Sequence, residues 1–171
     1  MSTIRGIVIP ACEELPVHVV EFDQGDISAI QLHVGGMFQC IDINDPSATI
    51  FCDEEGKLKG SEVNRRATML WWVHYPAARG MDVVNGDALV IGHPDEEGNS
   101  QGVPDELVDL LLNHEQWRYE VKVVGDDSWS GNQRTYSNVW GAYNDALALA
   151  QRWLAVERVR VIPCIVDAPA A

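Results

Sequence analysis

Residues 52–92 read CDEEGKLKGSEVNRRATMLWWVHYPAARGMDVVNGDALVIG, and the rest of the chain is organised around them. The stretch divides into a turn, a helix and a strand. Asp53-Glu54-Glu55-Gly56-Lys57 follows the β-branched and aromatic run Ala48-Thr49-Ile50-Phe51, and Gly56 can supply the positive φ of a tight reversal. Ser61 or Asn64 can then cap a helix by accepting hydrogen bonds from its free amides. Ala67, Leu70, Trp71 and His74 fall at i, i+3, i+4 and i+7, one helical face, while Met69, Trp72 and Val73 lie on the others. A helix apolar nearly all round has to be covered by its own domain or by a partner. Pro76 and Gly80 end it. Asn85-Gly86-Asp87 turns the chain into Ala88-Leu89-Val90-Ile91, an apolar run of strand length. The expectation is a core helix between two strands.

Outward from this stretch, Ile4 to Ile9 reads as a strand closed by Pro10, and Val17 to Phe22 as a second. Asp26 can cap a short helix carrying Ile27, Ile30 and Val34, which Gly35-Gly36 stops. Met37–Ile43 and Ala48–Cys52, joined by Asn44-Asp45-Pro46-Ser47, make an antiparallel hairpin. These elements predict an α+β domain over residues 1–93, mostly antiparallel sheet with a buried helix.

Residues 94–102, acidic and rich in turn formers, read as a linker. A helix then starts at Pro104, with Asp105 and Glu106 at its positive end and Leu107, Val108, Leu111 and Leu112 on its apolar face. It would bridge to a small ββαβ-like module, completing a second region over 103–171. There Trp117, Tyr119, Val121 and Val123 alternate with Arg118, Glu120 and Lys122, the pattern of a half-buried strand. Arg134-Thr135-Tyr136 can add a short strand. Ser137 can cap a helix whose Trp140, Tyr143, Leu147, Ala150 and Leu154 share a face. Glu157–Val166 returns as a strand that Pro163 confines to an edge or a bulge. Asp167–Ala171 reads as a disordered tail.

Glu55-Gly56-Lys57-Leu58, Gly60, Asn64-Arg65-Arg66-Ala67-Thr68 and Val84-Asn85-Gly86-Asp87-Ala88-Leu89-Val90 with Gly92 resemble a family catalogued as domain of unknown function 3846. The resemblance runs from Ile4 to about His93. It implies a soluble accessory protein of a bacteriophage or other mobile element, and it brings no chemistry with it. Residues 115–163 look more loosely like small phage proteins in which a Trp-bearing loop and an Ala-rich helix precede a final Arg-Val strand.

The chain has 171 residues and a net charge of −14. Residues 1–115 hold 20 Asp and Glu against 6 Lys and Arg, so they carry all of it, and residues 116–171 hold six of each. Such a balance argues against binding nucleic acid, which depends on neutralising phosphates. An acidic surface ordinarily serves solubility, but it can also compete with DNA for a basic host protein. No apolar run is long enough to span a bilayer, and MSTIRGIVIP lacks a signal sequence's apolar core, so the expected location is the host cell's cytoplasm. Cys12, Cys40, Cys52 and Cys164 show no paired spacing and read as reduced, buried thiols.

No stretch assembles a recognisable catalytic, cofactor or nucleic-acid motif. His18, His33, His74, His93 and His114 have no metal-ligand spacing, and a zinc site would need Cys40 and Cys52 to meet a histidine from elsewhere. Neither phosphate-loop pattern nor a serine elbow occurs. No catalytic residue, metal or cofactor is therefore assigned, and the motifs lean against an enzyme without deciding the question. Two weaker features remain. Lys57, Lys59, Asn64, Arg65 and Arg66 form the basic cluster of the acidic half, and a glycine-lysine turn before a helix can hold an anion. Its bland alternative is a solvated turn whose lysines offset Asp53–Glu55. Trp129 sits in a polar Asp-Asp-Ser-Trp-Ser-Gly-Asn loop and could anchor a partner, or fold back on its own module. With Asp95, Glu96 and Glu97 it is the candidate partner-binding set.

The reading is thus a non-enzymatic acidic interaction factor, a host-protein modulator or DNA mimic, whose partner is a host or phage protein. The alternative is a small-ligand or nucleotide binder using the Gly56–Arg66 turn. The all-round apolar helix and the tryptophans would also suit a homodimer.

Overall fold

The computed structural model describes residues 2–165, and the expected tail at 167–171 lies outside them. Contacts divide the chain into two compact units, Met1–Leu112 and Asn113–Ala171.

In the first unit the strands are β1 (Thr3–Ile9), β2 (His18–Asp23), β3 (Phe38–Ile43), β4 (Ala48–Asp53) and β5 (Ala88–Gly92). They form one antiparallel sheet in the order β2-β1-β5-β4-β3. The expected hairpin is present, with Ile43 opposite Ala48 and Phe38 opposite Asp53. Every residue of β4 and β5 is buried, which requires cover on both faces. On one face Ile4, Val8, Phe22, Phe51, Leu89 and Ile91 cluster with Ile30 and Val34 of α1 (Ile27–Val34). Asp26 caps α1 by accepting from the Ala29 amide, and Gly35 closes it in the left-handed region.

The alternate residues Ile7, Ile9, Ile50 and Val90 point to the opposite face and are fully buried. There α2 (Arg65–His74) buries Ala67, Leu70 and Val73, and it lies against β3. Burial of a side chain such as Leu70 contributes about 1.5–3 kcal/mol. Trp71, Trp72 and Met69 are only half-buried, so the helix is covered on one side rather than all round.

The segment read as a linker belongs to this unit. Gly92 donates to the Gln101 carbonyl (3.0 Å), Gln24 reaches the Ser100 carbonyl (2.6 Å) and Val103 donates to the Arg5 carbonyl (2.8 Å). Arg5 also pairs with Asp105 at the start of α3 (Asp105–Leu112). The division therefore falls after Leu112 and not at residues 94–102. Polar composition hid the segment's attachment because its anchors are mostly backbone groups.

The second unit is a three-stranded antiparallel sheet, β7-β6-β8, with one helix. β6 (Trp117–Val123) is central, β7 is only Ser130–Gly131, and β8 (Val156–Pro163) lies at an edge, where a proline is tolerated. Arg134–Tyr136 contributes a single bridge, Tyr136 to Trp117, instead of a strand. The helix α4 (Val139–Arg152) is capped by Asn138, which accepts from the Trp140 amide, and not by Ser137. It packs on β6 and β8 through Val139, Ala142, Tyr143, Ala146 and Ala150. Trp140 and Leu147 are half-buried and Leu154, beyond the helix, is 91% exposed. Small residues let the helix approach the sheet, so Ala142, Ala146 and Ala150 share the core face with Tyr143 and Val139, while Trp140 and Leu147 do not.

Candidate functional site

The turn before α2 is tied to the rest of its unit by two buried polar side chains. Asn64 is fully buried: its side-chain oxygen accepts from the Ala67 amide (3.0 Å), and its amide nitrogen donates to the carbonyls of Ile9 (2.7 Å) and Gly86 (3.0 Å). It is both the cap of α2 and the tie between that helix, β1 and the turn before β5. Arg66, also buried, sends Nη2 to the carbonyls of Pro10 (2.7 Å), Cys12 (3.0 Å) and Leu15 (2.9 Å) and so holds the loop between β1 and β2. Burial pushes its guanidinium below its ordinary pKa.

The remaining cations of the cluster diverge. Lys57 pairs with Asp82, Lys59 with the buried Asp53 (2.7 Å), and exposed Arg65 faces Glu13 at 3.8 Å. Lys59 and the Glu55 amide hold the Asp53 carboxyl below the usual carboxylate range, and Asp53 in turn raises the Lys59 pKa. The turn thus has no surplus of positive charge to offer an anion. Gly56 is needed for proximity and not for a positive φ: a Cβ there would stand 2.8 Å from the Asn85 carbonyl oxygen. Gly60 supplies the left-handed conformation, at φ +68°.

Asp95, Glu96 and Glu97 all lie exposed, and two of them are tied into the loop: Glu97 accepts from the Asn99 side chain (3.4 Å), and Asp95 makes several bonds. Asp95 accepts from the Asn99 (2.8 Å) and Glu97 (3.0 Å) amides and from the Gln101 side chain (2.9 Å), and the bonds from Asn99 first, then the Glu97 amide, hold its pKa down. It organises the loop that displays its neighbours.

Trp129 folds back, although not onto the core. It lies half-buried on the face of the small sheet opposite α4, with the Arg160 guanidinium 4.2 Å and that of Arg158 5.9 Å from its ring centroid. Arg160 also grips Glu120 through two hydrogen bonds (2.9 and 2.6 Å). Arg118 and Lys122 share this face by strand alternation, opposite Ile162 and Arg158 in the register. This grouping was not singled out from sequence, though the alternation of Arg158-Val159-Arg160-Val161 with β6 carries the signal.

The cysteines are free thiols, and only Cys52 is buried. Cys40, expected inside, is exposed on the edge strand β3, where partial desolvation and Asp42 raise its pKa. Among the described residues no three His, Cys, Asp or Glu side chains are placed to hold a metal ion. A shallow hollow lined by Asn113, His114, Glu115, Gln116, Cys164 and Ile165 contains none of the predicted site residues. Among the same residues no helix is long and apolar enough to cross a membrane.

Comparison with curated proteins and with solved structures finds no match. The family described as domain of unknown function (DUF3846) matches residues 4–116, further than the span to His93 that its motifs suggested, taking in the pinned acidic segment and α3. Asn64 and Arg66, the buried ties of α2, fall inside that span, and this chain belongs to the DUF3846 family.

Proposed function

We propose that the protein is a non-enzymatic interaction factor whose acidic first unit engages a basic surface on a host or element-encoded protein, in the manner of a DNA mimic. One observation carries the reading. Residues 1–112 hold 19 acidic against six basic side chains, and all six cations are engaged internally. Arg5, Lys57, Lys59 and Arg65 pair with carboxylates, while Arg66 and Arg79 bond backbone carbonyls inside the unit. The surplus of 13 negative charges therefore faces outward, where it steers a cationic partner and repels nucleic acid. A phage or mobile-element setting, which the sequence resemblance implies, would make a host protein in the cytoplasm the natural target.

The test is affinity capture from a host lysate, comparing the wild type with Glu96→Lys/Glu97→Lys. Asp95 is left in place because the loop depends on it. We expect a basic protein captured in stoichiometric amount, released at about 1 M salt, where screening reaches about 3 Å, and lost from the variant. Capture of nothing, or of a protein that the variant holds equally well, overturns the reading.

A further inference from the structure

We propose that the open edge of the first unit's five-stranded sheet, strand β3, takes an extended basic segment of the partner protein as an added strand. This rests on the acidic interaction reading and gives it a place and a partner chemistry. The order β2-β1-β5-β4-β3 leaves β3 with β4 as its one neighbour. The Glu54 amide donates to the Met37 carbonyl (2.9 Å), which sets the phase of the β3–β4 ladder. Gln39, Ile41 and Ile43 then bond to β4, and the amides and carbonyls of Phe38, Cys40 and Asp42 point away from it. Among the described residues no backbone group pairs with those three.

The other long edges are defended. β2 sets Glu21 directly opposite Arg5 and so presents both signs, and β8 carries Arg158, Arg160 and Pro163. β3 has neither proline nor cation, and Gln39 and Cys40 lie exposed along it. Such an edge is a template for a further strand.

Charge selects the occupant. Residues 37–55, the hairpin and the start of the turn after it, hold five carboxylates and no lysine or arginine. The lysines next in sequence do not cancel them, since Lys57 pairs with Asp82 and Lys59 reaches only Asp53 (2.7 Å) and Glu55 (3.7 Å). Even without Asp45, the carboxylates Asp42, Asp53, Glu54 and Glu55 stand against the one cation Lys59. Two histidines, counted as neutral, lie at this end: His93 is 3.5 Å from Asp42, and His74 bonds the Asn44 carbonyl (2.8 Å). Asp42 accepts from the Thr49 hydroxyl (2.8 Å), yet its side chain stays 66% exposed on the edge itself. A second copy of the chain would bring the same negative charge to this edge, whereas a cationic strand meets it with the opposite sign. Main-chain bonds would supply affinity, and a lysine or arginine across from Asp42 the preference. His93 also bonds the Ile43 carbonyl (3.1 Å), so Glu96 and Glu97 follow a few residues after a contact with β3.

The experiment is fluorescence anisotropy on the full chain with a labelled peptide of about nine residues alternating lysine and valine, at about 50 mM salt to limit screening. One control peptide has the same composition in two blocks. The other is N-methylated through its centre, so it keeps the charge but cannot pair along either edge. We expect saturable binding of the alternating peptide, at least about tenfold tighter than of either control. Cys40→Pro removes an outward amide and spares the bonds to β4. It should weaken binding at least about tenfold while leaving the unfolding midpoint near that of the wild type. Asp42→Asn, which can still accept from Thr49, should weaken it about threefold. Equal binding by either control, or unchanged affinity in Cys40→Pro, overturns the proposal. So does a wild-type dimer in sedimentation that Cys40→Pro dissolves, which would assign the edge to a second copy. Where Cys40→Pro proves unstable, the methylated peptide decides. Capture from the host lysate keeps the two failures apart. A basic protein held equally by the wild type and Cys40→Pro sustains the interaction reading and overturns the edge, whereas capture of nothing overturns the reading and the proposed partner with it.

Discussion

Arg65 and Arg66 are adjacent, equally basic and equally prominent in the family motif, yet their surroundings give them opposite weights. Arg66 supplies the charge-assisted bonds that satisfy the carbonyls of Pro10, Cys12 and Leu15 in a buried loop. Replacing it by Ala leaves those acceptors without that partner and should lower stability by about 3 kcal/mol. Arg65→Ala removes only a solvent-screened contact to Glu13 and should cost under about 1 kcal/mol. Urea unfolding of both variants checks this, and similar losses would refute it. Asp53 gives a second prediction, in pH. Its carboxyl is held below the ordinary value of 3.8 by Lys59 and the Glu55 amide. A depressed carboxylate contributes stability above the unfolded-state pKa and loses it as pH falls through the lower folded value. The denaturation midpoint of the wild type should therefore fall more steeply than that of Asp53→Asn as pH drops from about 4 to 2. Parallel curves for the two proteins would show that the pair contributes nothing.

At the level of elements, periodicity located most strands and helices because each buries one regular face. The hairpin β3–β4, the cap at Asp26, the alternation of β6 and the edge position of β8 were all legible in this way. Three features were not, each for a physical reason. The attachment of residues 94–102 rests largely on backbone hydrogen bonds, which leave no mark in side-chain type. Asn64 and Arg66 look like ligand-binding groups because the same polar chemistry that holds a phosphate also holds carbonyls. The core face of α4 was legible only in part: Tyr143 and Ala150 are buried as expected, but size also suggested Trp140 and Leu147 where close packing selects Ala142 and Ala146. That last point is testable. Ala146 is fully buried, so Ala146→Leu should overpack the helix–sheet contact and destabilise the second unit by about 1–3 kcal/mol. Leu154→Ser, at a position that is 91% exposed, should change stability by less than about 0.5 kcal/mol. A reversed order would mean that the sequence-based face was the correct one.

At the scale of the molecule, each unit has a hydrophobic core of its own: the sheet flanked by α1 and α2 in residues 2–112, and the sheet under α4 beyond Asn113. The family match ends at residue 116, just past the division at Leu112, so the two boundaries agree within a few residues. A fragment spanning 1–116 should therefore fold by itself, with its sheet complete and the pinned segment at 94–102 included. A fragment ending at 93 removes the Gln101 and Val103 contacts to Gly92 and Arg5, together with buried Val103, Leu107, Val108 and Leu111. Losing four buried aliphatic side chains, at about 1.5–3 kcal/mol each, would consume the whole stability of an average domain. The prediction is that 1–116 unfolds in urea in one cooperative transition, with a slope of about 1–3 kcal/mol/M, and that 1–93 shows none. Circular dichroism and tryptophan emission should give coincident curves for the longer fragment, since both report one core. A cooperative transition in 1–93 would restore the acidic segment to the status of a linker, and it would remove the structural reason for placing α3 in the first unit.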